Sequence, residues 1–353
     1  MLRGMARQQR LSTILDRGFA ALDEGDFDAA EAALMQAQRI DRQHVDVLVL
    51  DGELNLVAEE YGTAEESFRK AMAAAPEAMA PRLGLARTLL SLLFEAQDAK
   101  AADEARERAD EILQVLEEVP RDSEDYPEAV LTRLGALAGV GGKHAASARL
   151  LALTEDTIGL LPEFALEAAP PVSSFDLPTA LRWLDAAAAS DDLRADALHT
   201  RGAILAEFEQ RAPMIAAWTE VWKLDGGADV PPPEVVATDD EFEEMAQAAL
   251  EELPAELRER LRRAAILVDD RPSLELVEEG VDPRSLGLFT GTPTTEEASG
   301  QPTLTHIYLF KQNLERQSRD LDELAEQVRI TVWHETAHFF GLDEDGVADL
   351  GLA

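Results

Sequence analysis

The residues of this chain best suited to chemistry lie near its C-terminal end, in the segment His334-Glu335-Thr336-Ala337-His338. Two histidines four positions apart on a helix share one face, so two imidazoles can reach one metal ion. Glu335 is placed about 100° around the same helix from His334, where it can contact a water on the metal without binding the metal. The pattern predicts a metal site in which Glu335 lies beside a water bound to the metal. The alternative is an ordinary polar face on a terminal helix.

The residues after the second histidine favour the metal site. Gly341 follows His338 by three positions, and glycine commonly ends a helix in the left-handed conformation. The resulting turn can return a residue three positions later to the metal. Glu344 has this register, and Asp343 and Asp345 are close rivals. We therefore predict Glu344 as the third ligand and leave the two aspartates open as alternatives.

The elements predicted around this helix form a small α+β arrangement. An amphipathic pattern predicts a helix over residues 239–263, interrupted at Pro254, and a second helix over residues 320–341. Three short apolar runs predict strands, namely AAILVDD (264–270), SLGLFTGTP (285–293) and THIYLF (305–310). We expect the segment 304–310 to present a strand edge to an extended peptide.

This region resembles the small bacterial zincin-like metallopeptidases, a family of minimal matrix-metalloprotease-like domains. The resemblance is carried by WHETAHFFGLDEDGVADLG and, upstream, by FEEMAQAALEELPAELRERL, ILVDD, GLFTGTP and IYLFKQNLER. It covers about residues 239–353 and implies a zinc-bound α+β fold with His334 and His338 as ligands and Glu335 as base. No methionine follows Met245, so the Met-turn of metzincins is missing and the floor of the site must be built differently.

The N-terminal part of the chain contains a repeat of 34 residues. Gly18, Phe27, Ala30, Leu34, Ala37 and Arg42 align without a gap with Gly52, Tyr61, Ala64, Phe68, Ala71 and Pro76. Each unit predicts two amphipathic helices, with small residues where the helices cross and an aromatic residue between them. The pattern resembles the tetratricopeptide (TPR) family, clearly over about residues 11–76 and in degenerate form up to about residue 225. This resemblance implies a surface for a protein partner.

Proline and glycine predict the interruptions of this helical region. The Pro170–Pro171 pair and the nearby SSFDLP run predict loops or helix breaks. The segment 226–240, GGADVPPPEVVATDD, cannot continue a helix and has the composition of a stiff spacer. We therefore predict a TPR-like helical repeat domain at 1–225, a Gly/Pro-rich linker at 226–239 and a zincin-like metallopeptidase domain at 240–353. The predicted fold class is mixed, a helical array followed by a small α+β domain.

Composition excludes several classes of function. The 353 residues include 32 Lys and Arg against 70 Asp and Glu, a net charge of −38, and no cysteine. The acidity argues against nucleic-acid partners and anionic membrane surfaces, and the lack of cysteine excludes disulfides and thiolate ligands. No signal peptide or membrane span is evident, so we expect a cytoplasmic protein.

Two functions agree with these patterns. The first is a zinc-dependent metalloprotease, in which Glu335 acts as general base on a peptide or protein substrate. Its TPR-like array would recruit that substrate or a partner protein. The alternative is a non-enzymatic TPR interaction scaffold that carries a structural or inactive zincin domain.

Overall fold

The computed structural model describes residues 2–117, 119–227, 230–253, 258–259, 265–290 and 306–339. The chain divides into two compact units, Met1–Ala197 and Leu198–Ala353. The predicted fold class, a helical array followed by a small α+β region, is confirmed. The linker predicted at 226–239 lies within the second unit, and its role as a domain boundary stays a prediction. In the described part of the chain, no helix is both long enough and apolar enough to cross a bilayer.

The first unit is built from helices that pack in sequence order. They are α1 (Leu2–Asp23), α2 (Phe27–Asp41), α3 (Val45–Val57), α4 (Tyr61–Ala74), α5 (Met79–Asp98), α6 (Ala102–Val115), α7 (Tyr126–Gly139), α8 (Ser147–Leu160) and α9 (Phe164–Ala187). The pairs α1–α2, α3–α4 and α5–α6 form antiparallel hairpins, with α4 also packed on α5. Hairpins therefore occur where the 34-residue repeat predicts them.

Glycines allow the close helix crossings of the repeat. The ring of Phe68 on α4 is fully buried, and a Cβ at Gly52 on α3 would lie 2.7 Å from it. A Cβ at Gly84 on α5 would overlap the same ring. Phe68 thus fills the groove between three helices because two of them carry no side chain at the crossing.

The helix break predicted at the SSFDLP run, residues 173–178, is confirmed, whereas the break predicted at the Pro170–Pro171 pair is wrong. Pro170 and Pro171 lie inside the first half of α9, and the break comes later, at Asp176, with φ −144° and ψ 68°. The Asp176 carboxylate accepts a hydrogen bond from the Thr179 N–H at 3.2 Å and so caps the second half of the helix. The break lies at the side chain that can cap a new helix start.

The second unit begins within a helix and continues as mixed structure. Its elements are α10 (Arg194–Glu207), α11 (Arg211–Asp225), α12 (Asp239–Glu252), β1 (Ala265–Asp269), α13 (Leu274–Glu278), β2 (Gly287–Thr290), β3 (His306–Phe310), α14 (Lys311–Gln317) and α15 (Leu321–Phe339). The strands form a sheet of order β1-β3-β2. Strand β1 runs parallel to β3, and β2 runs antiparallel to it.

The expectation that residues 304–310 form an edge strand is wrong. Strand β3 is central, and its Tyr308 is paired with Leu267 of β1 on one side and Leu288 of β2 on the other. A short apolar run shows that a strand is buried, but its neighbours depend on segments far away in the sequence. In the described part of the sheet, β1 and β2 occupy the edges.

One face of the sheet packs against α12 and α15. Ile307 and Leu309 of β3 meet Phe242 of α12 and Val328 and Val332 of α15, all five fully buried. The apolar faces predicted for both helices thus build one core together with the sheet.

Helix α12 starts with a reciprocal cap. The Thr238 hydroxyl accepts a hydrogen bond from the Glu241 N–H at 3.2 Å, and the Glu241 carboxylate accepts one from the Thr238 N–H at 2.8 Å. Hydrogen bonds from the Thr238 backbone and hydroxyl lower the pKa of the Glu241 carboxyl below its ordinary value.

Candidate active site

Helix α15 is a fixed support for the residues of the predicted site. The indole N–H of Trp333 donates a hydrogen bond to the Ala249 carbonyl of α12 at 3.2 Å. The Arg329 guanidinium lies 4.9 Å from the centre of the Trp333 ring. Together with the buried Val328 and Val332, these contacts hold the helix in position along the turns that precede the histidine pair.

Glu335 lies against the start of the edge strand β2. Its residue surface is only 7% exposed. A Cβ at Gly287 would lie 2.9 Å from Glu335 Oε1 and 2.7 Å from Thr331 Cγ2. Any side chain at Gly287 would therefore push on the carboxylate, and the bare backbone of that residue is what lets α15 approach β2 so closely.

Sequence reasoning missed Gly287. The segment GLFTGTP predicts a strand, but its first glycine carries no predicted role. A glycine at the start of a short strand often marks a close approach of backbone to another group, and that was the signal present. Only the packing of α15 on the sheet shows which group approaches.

His334 precedes Glu335 on the same helix and is half-buried. The different burial of these neighbours agrees with side chains that leave the helix on different sides, as the helical period requires. His338 belongs to α15 one turn later, so its backbone has the spacing needed to place two imidazoles on one face.

The predicted third ligand lies outside the described residues. This holds for Glu344, for its rivals Asp343 and Asp345 and for Gly341, while the side chain of His338 is also outside the description. Among the residues that the structure does describe, no group of three His, Asp or Glu side chains is arranged to hold a metal ion. The metal ligands therefore stay predictions.

Comparisons with known proteins agree with the architecture of the second unit. Residues 261–352 match the sequence model of the family described as "Zincin-like metallopeptidase". No curated protein matches the chain. A solved structure described as "Functional Characterization of Pseudomonas Aeruginosa pilF" is 21% identical, with 63% of this chain and 95% of that chain covered, at a TM-score of 0.37. That likeness is too distant to support an argument about fold or function. The residues that match the zincin-like family model make up about a quarter of the chain and include the HExxH motif, on the helix that packs beside the three-stranded sheet.

Proposed function

We propose that the chain is a zinc-dependent peptidase with its active site on α15. The observation that carries the proposal is the position of Glu335, buried against Gly287 of strand β2 and one residue after the half-buried His334. A carboxylate held at the side of an edge strand is placed to act on a peptide that lies along that strand.

The donors available on α15 suit zinc. Imidazole is a preferred zinc ligand, and His334 and His338 are one turn apart on a helix that packing holds rigid. We propose that these two residues and Glu344 would hold the ion. When bound, zinc supplies a Lewis acid that polarises a peptide carbonyl and makes water more acidic.

Glu335 would act first as general base and then as general acid. One carboxylate oxygen of Glu335 takes a proton from the attacking water as the water oxygen forms a bond to the peptide carbonyl carbon. The same carboxyl then delivers this proton to the amide nitrogen, so the C–N bond breaks and the amine leaves. The products are a new carboxylic acid group, which keeps the second proton of the water, and a new amine, and Glu335 returns to its ionised starting state.

The substrate is proposed to bind along β2. Among the described residues, β2 is paired with β3 on one side only, so its outer edge presents backbone N–H and C=O groups. An extended peptide can add to such an edge through backbone hydrogen bonds. We therefore propose strand β2, and not the segment 304–310, as the peptide site. A peptide bound there would lie near Glu335, because Gly287 of β2 packs against the Glu335 side chain.

The helical array is proposed to recruit a substrate protein or a partner. Its hairpins stack at the 34-residue period, which is how repeat proteins build extended binding surfaces. Apolar side chains exposed on the array, among them Phe27, Met35 and Phe94, offer contact points for such a protein.

The deciding experiment compares Glu335→Gln with the wild-type protein on a library of unfolded proteins. We expect cleavage to fall about a hundredfold or more while one zinc per chain is retained, because the change removes the base and no ligand. Glu326→Gln is the matched control, since Glu326 is on the same helix and only pairs with Arg329 at the surface. Wild-type cleavage in Glu335→Gln would remove the role of the base. Zinc binding by a wild type that cleaves nothing would instead support the scaffold alternative.

A further inference from the structure

The second unit contains a cavity of about 250 Å³ that no part of the peptidase proposal uses. It lies beside the C-terminal end of α11, the segment that follows β1, and one face of α14. The polar and aromatic residues around it include Trp222, Asp225, Arg271, Arg284, Gln312 and Arg316. None of these belongs to the site of His334 and Glu335.

Arg271 is held firmly at the wall of this cavity. Its guanidinium donates a hydrogen bond to the Trp222 carbonyl at 2.7 Å and lies 4.4 Å from the centre of the Trp222 ring. The Trp222 indole N–H in turn donates to the Pro272 carbonyl at 2.8 Å. A Cβ at Gly226 would overlap the guanidinium, so this glycine is needed for the arginine to fit. A rigid guanidinium loses little conformational freedom when it binds a ligand.

The charges around the cavity are unequal. Asp225 accepts two hydrogen bonds from Arg284, at 2.8 and 3.0 Å, so those two residues compensate each other. Arg316 donates to the Pro231 carbonyl at 3.1 Å, and Arg271 donates to the Trp222 carbonyl. In the described part of the chain, neither Arg271 nor Arg316 has a carboxylate partner.

This local excess of positive charge is unusual in a chain with a net charge of −38. Each guanidinium has five N–H donors in a fixed fork that matches the oxygens of a carboxylate or a phosphate. Gln312 adds an amide to the same wall, on α14. Backbone carbonyls satisfy one donor each of Arg271 and Arg316, which leaves donors and charge for an anion.

We propose that this cavity binds a small oxyanion, through a carboxylate or a phosphate group contacted by Arg271 and Arg316. The volume decides between a small ligand and a peptide. Ligand pockets for drug-sized molecules are about 300–1,000 Å³, so a cavity of about 250 Å³ has room for a small anion only. The anion would join α14 to the end of α11 and so stabilise the second unit.

The test is a calorimetric titration of the full-length protein with inorganic phosphate and, in a separate experiment, with succinate. Sodium chloride at the same ionic strength serves as the blank. We expect saturable binding of one anion per chain for at least one probe, and the preferred probe shows whether the site takes a phosphate or a carboxylate. Arg316→Gln should weaken the binding roughly tenfold to a hundredfold, because it removes a charge-assisted hydrogen bond.

Two further variants make the result decisive. Arg319→Gln removes the same charge three positions later, where the side chain is exposed and pairs with Glu323, and it should leave the affinity unchanged. Gln312→Glu keeps the shape of the side chain and places a negative charge at the cavity, so it should weaken the binding at least as much as Arg316→Gln. Both arginine changes are at exposed side chains, and circular dichroism would verify their folding.

Three results would overturn the proposal. The first is that neither probe binds beyond the effect of chloride. The second is that Arg319→Gln weakens the binding as much as Arg316→Gln, which would mean a diffuse charge effect. The third is that a short polyglutamate peptide binds whereas phosphate and succinate do not, which would mean a surface for acidic protein segments.

Discussion

Two helical hairpins of this chain share an internal design and differ in what covers them. In α3–α4, Gly52 faces the buried ring of Phe68, and in α10–α11, Gly202 faces the indole of Trp218. The glycine precedes the aromatic residue by the same 16 positions in both hairpins. The ring of Phe68 in the first hairpin also packs against Gly84 of the next helix, so this contact joins the hairpin to the rest of the array.

The hairpin α10–α11 contacts the α/β region of its own unit, and does so through polar groups. Helix α11 packs on α13, and the Arg211 guanidinium donates to the Glu279 carbonyl. His199 of α10 lies 2.9 Å from the Asp282 carboxylate, and Asp225 at the end of α11 binds Arg284. The same local pattern therefore produces a hairpin twice. What the hairpin does depends on whether its outer face is apolar, as in the array, or carries charges that match a different partner.

The largest expected effect is the loss of zinc, which we propose is bound by the second unit and not by the helical array. His334→Ala or His338→Ala should abolish zinc binding, because each removes one of the proposed ligands from the second unit. Glu344→Ala should weaken zinc far more than Asp343→Ala or Asp345→Ala. Metal analysis of the purified variants measures this directly. A full zinc content in both histidine variants would show that α15 holds no such site.

Removal of the metal by a chelator should affect the stability of the second unit and not that of the helical array. A ligand that binds only the folded state stabilises the part of the protein that binds it. Treatment with a chelator should therefore lower the thermal midpoint of the second unit and leave the helical array unchanged. Hydrogen exchange read separately over residues 2–117 and 306–339 would follow the two regions. An equal loss of protection in both would contradict the assignment of zinc to the second unit.

The next effect concerns the packing of the array. Phe68→Ala should destabilise the first unit by about 4 kcal/mol, because it empties a groove between three helices. Phe94→Ala is the matched control, since this phenylalanine is 46% exposed, and it should cost far less. Thermal or urea unfolding measures both. Similar losses for the two variants would mean that the crossing of Gly52, Phe68 and Gly84 does not organise the array.

A third effect tests where the second unit begins. A fragment of residues 198–353 keeps the contacts of Trp222 with Arg271 and of Asp225 with Arg284, whereas a fragment of residues 240–353 lacks them. We expect the shorter fragment to be less stable by about 3 kcal/mol, from one charge-assisted pair and one cation–π contact. Urea unfolding of the two fragments gives the difference. Equal stability would favour the boundary predicted at 226–239, with α10–α11 as part of the array.

The smallest effect is a pH dependence at the start of α12. Because hydrogen bonds from Thr238 lower the pKa of Glu241 in the folded protein, its carboxylate stabilises the fold above the unfolded pKa. That contribution is lost as the pH falls through the lower, folded pKa. Glu241→Gln should therefore be less stable than the wild type at neutral pH, and the two should converge in acid. Urea unfolding followed against pH measures this, with Glu243→Gln, an exposed change on the same helix, as the control variant.

Local pattern was enough to predict the elements that carry the proposed chemistry. The spacing of His334, Glu335 and His338 places them on one helix, and the structure has that helix as α15, Leu321–Phe339. The three predicted strands and the end of α12 before Pro254 also occur where apolar runs and proline indicate them. These features depend on residues that are close in sequence, so periodicity and backbone preference predict them.

The 34-residue repeat and the HExxH motif were determined by the sequence itself, because each is a matter of side-chain spacing along one or two helices. Three other features were decided by tertiary structure alone. These are the central position of β3, the approach of Glu335 to Gly287, and the meeting of Arg271 with Arg316 at one cavity. Each joins segments that are separated by many residues, and their pairing depends on how whole helices and strands pack. Pro170 and Pro171 are another case in which tertiary structure decides. Their local preference would end a helix, but in the packed structure they lie inside one.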